Sequence, residues 1–173
     1  MPVYEIAGKR PKIGKGTWIA PSAEIIGDVE IGENCYIGFG AVIRGDFGPI
    51  RIGNETLVEE NVVIHTATQT TIGNRVIIGH MVMIHDAIIL DGALVGMKSM
   101  ICENVTIGEN TIVAEQSLIR KNSTIPSEKI VAGSPAKVVG NITERHRNQL
   151  SSGIQVYLKL IKQYGESFVQ VDY

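Results

Sequence analysis

Aliphatic residues recur along this chain at a fixed interval of six. Ile13, Ile19, Ile25, Ile31, Ile37 and Ile43 open the series. It resumes at Ile52, Val58 and Ile64 after a three-residue insertion around Phe47-Gly48-Pro49. A two-residue insertion within Thr66 to Thr71 leads to Ile72, Ile78 and Ile84, and a step one residue short leads to Ile89. From there Val95, Ile101, Ile107, Val113, Ile119, Ile125 and Val131 follow without a break. Small or turn-prone residues follow many of them, as in Ile13-Gly14, Ile31-Gly32, Ile52-Gly53 and Ile107-Gly108. Six is neither a helical period nor a hairpin spacing. A short strand plus a tight corner fits it, so three units make one triangular coil of about 18 residues, each coil stacking on the next at about 4.8 Å. Coils of this kind bury their apolar side only against their neighbours, which is a parallel β-helix, an all-β solenoid.

The repeats fade at Ala132-Gly133-Ser134-Pro135-Ala136, where glycine and proline predict a turn. Beyond it, Leu150, Ile154, Tyr157, Leu158, Ile161 and Tyr164 form the stripe of an amphipathic helix packed on one face of the prism. Thr143 stands near its start, Gly153 divides it into two segments, and Gly165 is its stop. The expected organisation is a β-helix domain over 1–140 and a C-terminal helix within 141–173.

Composition narrows the class. The chain has 173 residues and a formal net charge of −2, with no basic patch for nucleic acid. No apolar run approaches the 18 or so residues of a membrane helix, and the N-terminus lacks a signal-peptide pattern. The two cysteines, Cys35 and Cys102, form no CxxC pair and suit a reducing, cytoplasmic setting.

Three of the four histidines, His65, His80 and His85, fall between positions 65 and 85. His65 follows inward Ile64 and His85 follows inward Ile84, three faces later. They therefore share one corner of successive coils, in a column with Arg44 before them and Cys102 after. His80 lies at the preceding corner. Five extended residues span roughly 16 Å, whereas two nitrogens on one zinc lie within about 3.5 Å of each other. His80 is thus expected to join a metal held by His65 and His85 of a neighbouring subunit, two ligands from one chain and one from the next in a closed trimer. Three histidines with an open fourth position make a catalytic rather than a structural zinc site, and such an ion lowers the pKa of bound water to about 7.

The pattern of aliphatic, small and polar positions resembles the hexapeptide-repeat family of left-handed β-helices. Spacing alone does not give that hand, because parallel crossovers are usually right-handed. Arg44-Gly45-Asp46, Ile64-His65, the pair His80 and His85, and Leu94-Val95-Gly96-Met97 are similar to the γ-class carbonic anhydrases within that family. The resemblance implies a homotrimer with zinc (or iron or cobalt) bound between subunits by His65, His80 and His85. It implies reversible hydration of CO2 to bicarbonate by a zinc-hydroxide mechanism, and places Arg44 and Asp46 at the interface. Arg44, Asp46 and Glu59 complete the candidate catalytic set. Two departures stand out. Glu59-Glu60 replaces the family's Gln-Asp, putting an acid where a neutral amide is expected; Glu59 is suited to accept a hydrogen bond or a proton. The long acidic loop credited with proton shuttling in the best-studied type of active member is missing, since Phe47-Gly48-Pro49 and Thr66 to Thr71 are short and lack carboxylates.

Other readings follow from the same residues. Leu94 to Met97 and the long C-terminal helix resemble the branch of phenylacetate degradation and carnitine metabolism, which implies acyl-CoA thioester hydrolysis. Gly133-Ser134-Pro135-Ala136-Lys137 suggests a CoA-dependent hexapeptide acyltransferase, and a non-catalytic metal-binding trimer subunit is a further possibility. His146, between Arg145 and Arg147, reads as a surface helix residue, Cys102 as a packed thiol, and Tyr157 and Tyr164 as helix core.

Overall fold

The computed structural model describes residues 3–171; Met1, Pro2, Asp172 and Tyr173, the last two within the expected 141–173 unit, lie outside them. The repeat builds a β-solenoid of short parallel strands followed by one helix. Each strand pairs with its counterpart one coil away, as Ile77 and Ile78 do with Leu57 and Val58 on one side and with Leu94 and Val95 on the other. Two longer strands, Glu24–Ile31 and Val42–Ile52, bend round a corner, so two faces join into one sheet while the third stays separate. The insertion at Phe47-Gly48-Pro49 is taken up within the second of these strands, with Phe47 thrust into solvent.

The six-residue aliphatics form the core. Ile25, Ile43, Ile64, Ile84, Ile101 and Ile107 are fully buried, and only the terminal Ile13 and Ile125 are partly open. Small polar residues share this interior with their hydroxyls satisfied: Thr56 Oγ1 donates to Gly73 O at 2.7 Å and Thr111 Oγ1 to Pro126 O at 2.9 Å. Coils approach so closely at one corner that a Cβ on Gly53 would lie 2.6 Å from the carbonyl carbon of Gly73, which excludes any larger residue.

The turn expected within 132–136 forms, and across it Lys129–Gly133 and Ala136–Asn141 pair antiparallel, reversing the chain against the last coil. Two local expectations about the helix are corrected. The helix is one continuous element, Glu144–Ser167, not two. Space does not demand glycine at 153, since a Cβ there would make an ordinary contact 3.6 Å from Ile77 Cδ1; the packing of the neighbouring Ile154 in the cluster with Ile77 overrides the residue's poor helix propensity. Nor does Gly165 stop the helix. The last turn is held by Tyr164 and Phe168 against Trp18, and Phe168 N–H closes it by donating to Tyr164 O at 3.1 Å. Ile154 and Ile161 are the buried anchors of its apolar stripe.

Candidate metal centre

The expected column of side chains forms. His65 pairs in register with Arg44 on one side and with His85 on the other, and Ile84 opposite Ile101 sets Cys102 at the next level. The imidazoles of His65 and His85 meet edge to face with centroids 5.1 Å apart. Strand pairing, rather than any local motif, brings them together.

A carboxylate lies beside each ring. Asp46 Oδ1 lies 3.1 Å from His65 Nε2, and Asp46 Oδ2 accepts a hydrogen bond from Arg44. Desolvation raises the Asp46 carboxyl, but the hydrogen bonds from Arg44 and His65 outweigh it and leave the group below the usual carboxylate range. Arg44 and Asp46 thus form an ion pair within the chain that bears directly on His65. The Phe47 ring packs edge-on against His65 at 5.8 Å. Asp86, the residue after His85, accepts from Thr66 Oγ1 at 2.5 Å and from the backbone N–H groups of Ala67 and Thr68 at 2.8 Å each. Burial again raises this carboxyl and those donors override it, holding it low. Its second oxygen lies 3.3 Å from His85 Nδ1.

His80 stands apart from this pair, at the preceding corner, just before Met81 in the left-handed region (φ 59°). Its Nδ1 is 2.7 Å from Glu60 Oε2 and its Nε2 3.1 Å from Glu59 Oε2. Tyr36 OH donates to the other Glu60 oxygen at 2.7 Å. Burial pushes the Glu59 carboxyl up, partly offset by the charge of His80 and by a hydrogen bond from Tyr157. Tyr157 comes from the C-terminal helix, and a cavity of about 440 Å³ opens between that helix and the sheet, lined by Glu59, Ile77, His80, Leu94, Ile112 and Leu150 among others.

The six candidate residues therefore fall into two groups, Arg44, Asp46, His65 and His85 at one corner, Glu59 and His80 at the other. Among the described residues of one chain, no three His, Cys, Asp or Glu side chains converge on a metal position. The donor chemistry at the first corner still suits a divalent first-row metal. Two imidazoles lie side by side, each against a carboxylate, and His85 Nδ1 is buried without a hydrogen-bond partner among the described residues. Asp86, Thr66 and Tyr36 were not among the sequence candidates. Asp86 was signalled only by following His85 directly, and Tyr36 by nothing local, since it meets Glu60 across 24 positions.

A probable carbonic anhydrase of Methanocaldococcus jannaschii is 45% identical to this chain over 150 residues, covering 86% of the chain and 94% of that protein. The chain belongs to the hexapeptide-repeat family, among its γ carbonic anhydrase homologues. The family model described as bacterial transferase hexapeptide (six repeats) matches residues 10–45 and 86–121. The interval it skips carries both insertions and all three clustered histidines. Mitochondrial gamma carbonic anhydrase 2 of Arabidopsis thaliana is 33% identical over 98% of the chain, which spans 66% of that relative's length. The chain covers 60% and 64% of the lengths of two further gamma carbonic anhydrases of that plant. Among solved structures, a hexapeptide transferase family protein from Anaplasma phagocytophilum is 34% identical with a TM-score of 0.91, over 94% of this chain and 98% of that one. Hexapeptide-repeat relatives of this chain thus carry both carbonic anhydrase and transferase names.

Proposed function

We propose that this chain is a γ carbonic anhydrase-like metalloenzyme that reversibly hydrates CO2 to bicarbonate, working as a homotrimer of left-handed β-helices. The observation that carries the reading is the register-matched pair His65 and His85, each ring beside a carboxylate. In this proposal His65 and His85 of one chain and His80 of the next hold Zn2+, with Fe2+ or Co2+ as alternatives. When bound, the metal supplies Lewis acidity at neutral pH. Asp46, fixed by Arg44, steadies the His65 ring. Hydration of CO2 releases a proton, and Glu59, buried and facing His80, is the chain's own group to hold it at a carboxylate oxygen before solvent takes it. Tyr157, from the C-terminal helix, opposes the upward push of burial on the Glu59 carboxyl. Two unpaired cysteines are consistent with a cytoplasmic location, and among the described residues no helix is long and apolar enough to cross a membrane.

Metal content and stopped-flow CO2 hydration, measured on one preparation, test the reading. We expect bound metal and hydration that His85→Ala abolishes. Equal rates in parent and variant, or an active metal-free protein, would overturn it. Sedimentation velocity tests the trimer, for which a metal-loaded monomer is the opposing result.

A second reading is acyl-CoA thioester hydrolysis or acyl transfer. It is favoured by the cavity of about 440 Å³ beside His80, far larger than CO2 requires and floored by Ile77, Leu94 and Ile112. A panel of acyl-CoA substrates, with and without acceptor amines, tests it. Turnover on the panel with no CO2 hydration would make this the better reading.

A further inference from the structure

We propose that Asp86 is a positioning residue for the histidine pair: one carboxylate fastens the chain leaving His65 to the strand of His85 and selects the ring nitrogen that His85 presents. This inference rests on the metal-site reading above. Asp86 sits at a corner with φ of 49°, a left-handed conformation that aspartate tolerates better than most residues. Its side chain is 7% exposed. One oxygen is taken by three donors, Thr66 Oγ1 and the N–H groups of Ala67 and Thr68, all immediately after His65. The two-residue insertion that follows His65 is therefore gripped from the coil above.

The other oxygen remains. It lies 3.3 Å from His85 Nδ1, a buried atom with no hydrogen-bond partner among the described residues, so a small ring rotation aligns the two. A carboxylate can only accept, and a neutral imidazole carries one N–H. The proton is thereby drawn to Nδ1, and Nε2 is left with its lone pair free for a metal. His65 has a separate carboxylate in Asp46, so the two rings are set independently.

The test uses the full chain, stripped of metal by a chelator and 15N-labelled. The His85 tautomer is read by NMR at mildly alkaline pH, and zinc affinity by competition with a chromophoric chelator. The parent is expected to show Nδ1–H. Asp86→Asn presents an amide donor to Nδ1, so the proton moves to Nε2 and zinc affinity falls about 10- to 100-fold. Asp86→Gly suits the positive φ, keeps the corner if the asparagine variant fails to fold, and gives mixed tautomers with weakened zinc binding. Thr66→Val removes one clamp hydrogen bond; it lowers the melting temperature and leaves tautomer and affinity as in the parent. Parental tautomer and affinity in both Asp86 variants would overturn the inference, as would a Thr66→Val effect equal to that of Asp86→Asn. His85→Ala separates the two levels. If it binds zinc as tightly as the parent, the metal-site reading fails; if it loses zinc while the Asp86 variants do not, only the role of Asp86 fails.

Discussion

Replacing Ile84 by alanine tests whether the stack behaves as a continuous column. Ile84 is fully buried, with Ile64 on one side and Ile101 on the other. Those neighbours are themselves backed by Ile43 and Ile119, so neither can move in to fill a hole. Losing three carbons costs about 2.4 kcal/mol in transfer free energy at ~0.8 kcal/mol each. The unrelaxed cavity adds to this, giving an expected loss of about 3–4 kcal/mol, in the middle of the usual range for such changes. Ile125, at the end of the neighbouring column that runs through Ile89 and Ile107, is already partly open, and the same substitution there is expected to cost about 1–2 kcal/mol. Urea titration of the metal-free protein, followed by circular dichroism, gives both numbers, with m unchanged as the sign that only stability moved. Equal losses at the two positions, or less than about 1 kcal/mol at Ile84, would refute a rigid column that cannot relax.

Three further outcomes follow from packing. Gly96→Ala should destabilise markedly, because its Cβ would lie 2.7 Å from Glu115 N and Val113 O in the next coil, whereas Gly165→Ala, with nothing within 4 Å, should stabilise the helix by about 0.5–1 kcal/mol; a melting temperature that rises in the first variant or falls in the second would contradict the account of that position. A thiol reagent should label Cys102 in the native protein and Cys35 only after unfolding, since burial raises the Cys35 thiol and its Sγ donates to Gly53 O at 3.0 Å; native Cys102→Ala reacting readily would show otherwise. Trp18, the single tryptophan, packs against Tyr36, Tyr164 and Phe168, so Ile154→Asp should undock the helix and red-shift emission while the β-sheet circular dichroism persists; an unchanged spectrum would place the helix anchor elsewhere.

Much of the solenoid was legible because its cause is periodic. A residue such as Ile64 is inside because of its position in a count of six, and the count also puts His65 beside His85. The C-terminal stripe was legible for the same reason, at a helical period. What escaped was decided by contacts that the period does not encode. Gly153 and Gly165 read as helix breakers, yet the helix runs through both, because the sheet and the Trp18 cluster hold it. The strand Ala136–Asn141 carries no six-residue signal, since it runs the other way. Asp86 and Tyr36 matter through bonds spanning 18 to 24 positions, to Thr66, Ala67, Thr68 and Glu60. A third histidine at the wrong corner was visible; which acids it meets, Glu59 and Glu60, was not.

The reversed strand Ala136–Asn141 has a consequence for the size of the molecule. A parallel stack has no intrinsic end, because each coil leaves a fresh row of backbone donors and acceptors on which another coil, or another molecule, can continue. By turning back on Lys129–Gly133, the chain occupies part of that row with its own backbone in the opposite sense and leaves an edge that no longer matches the parallel hydrogen-bond pattern of a coil. The hairpin therefore acts as a terminator, separating a particle of defined length from an open-ended fibre.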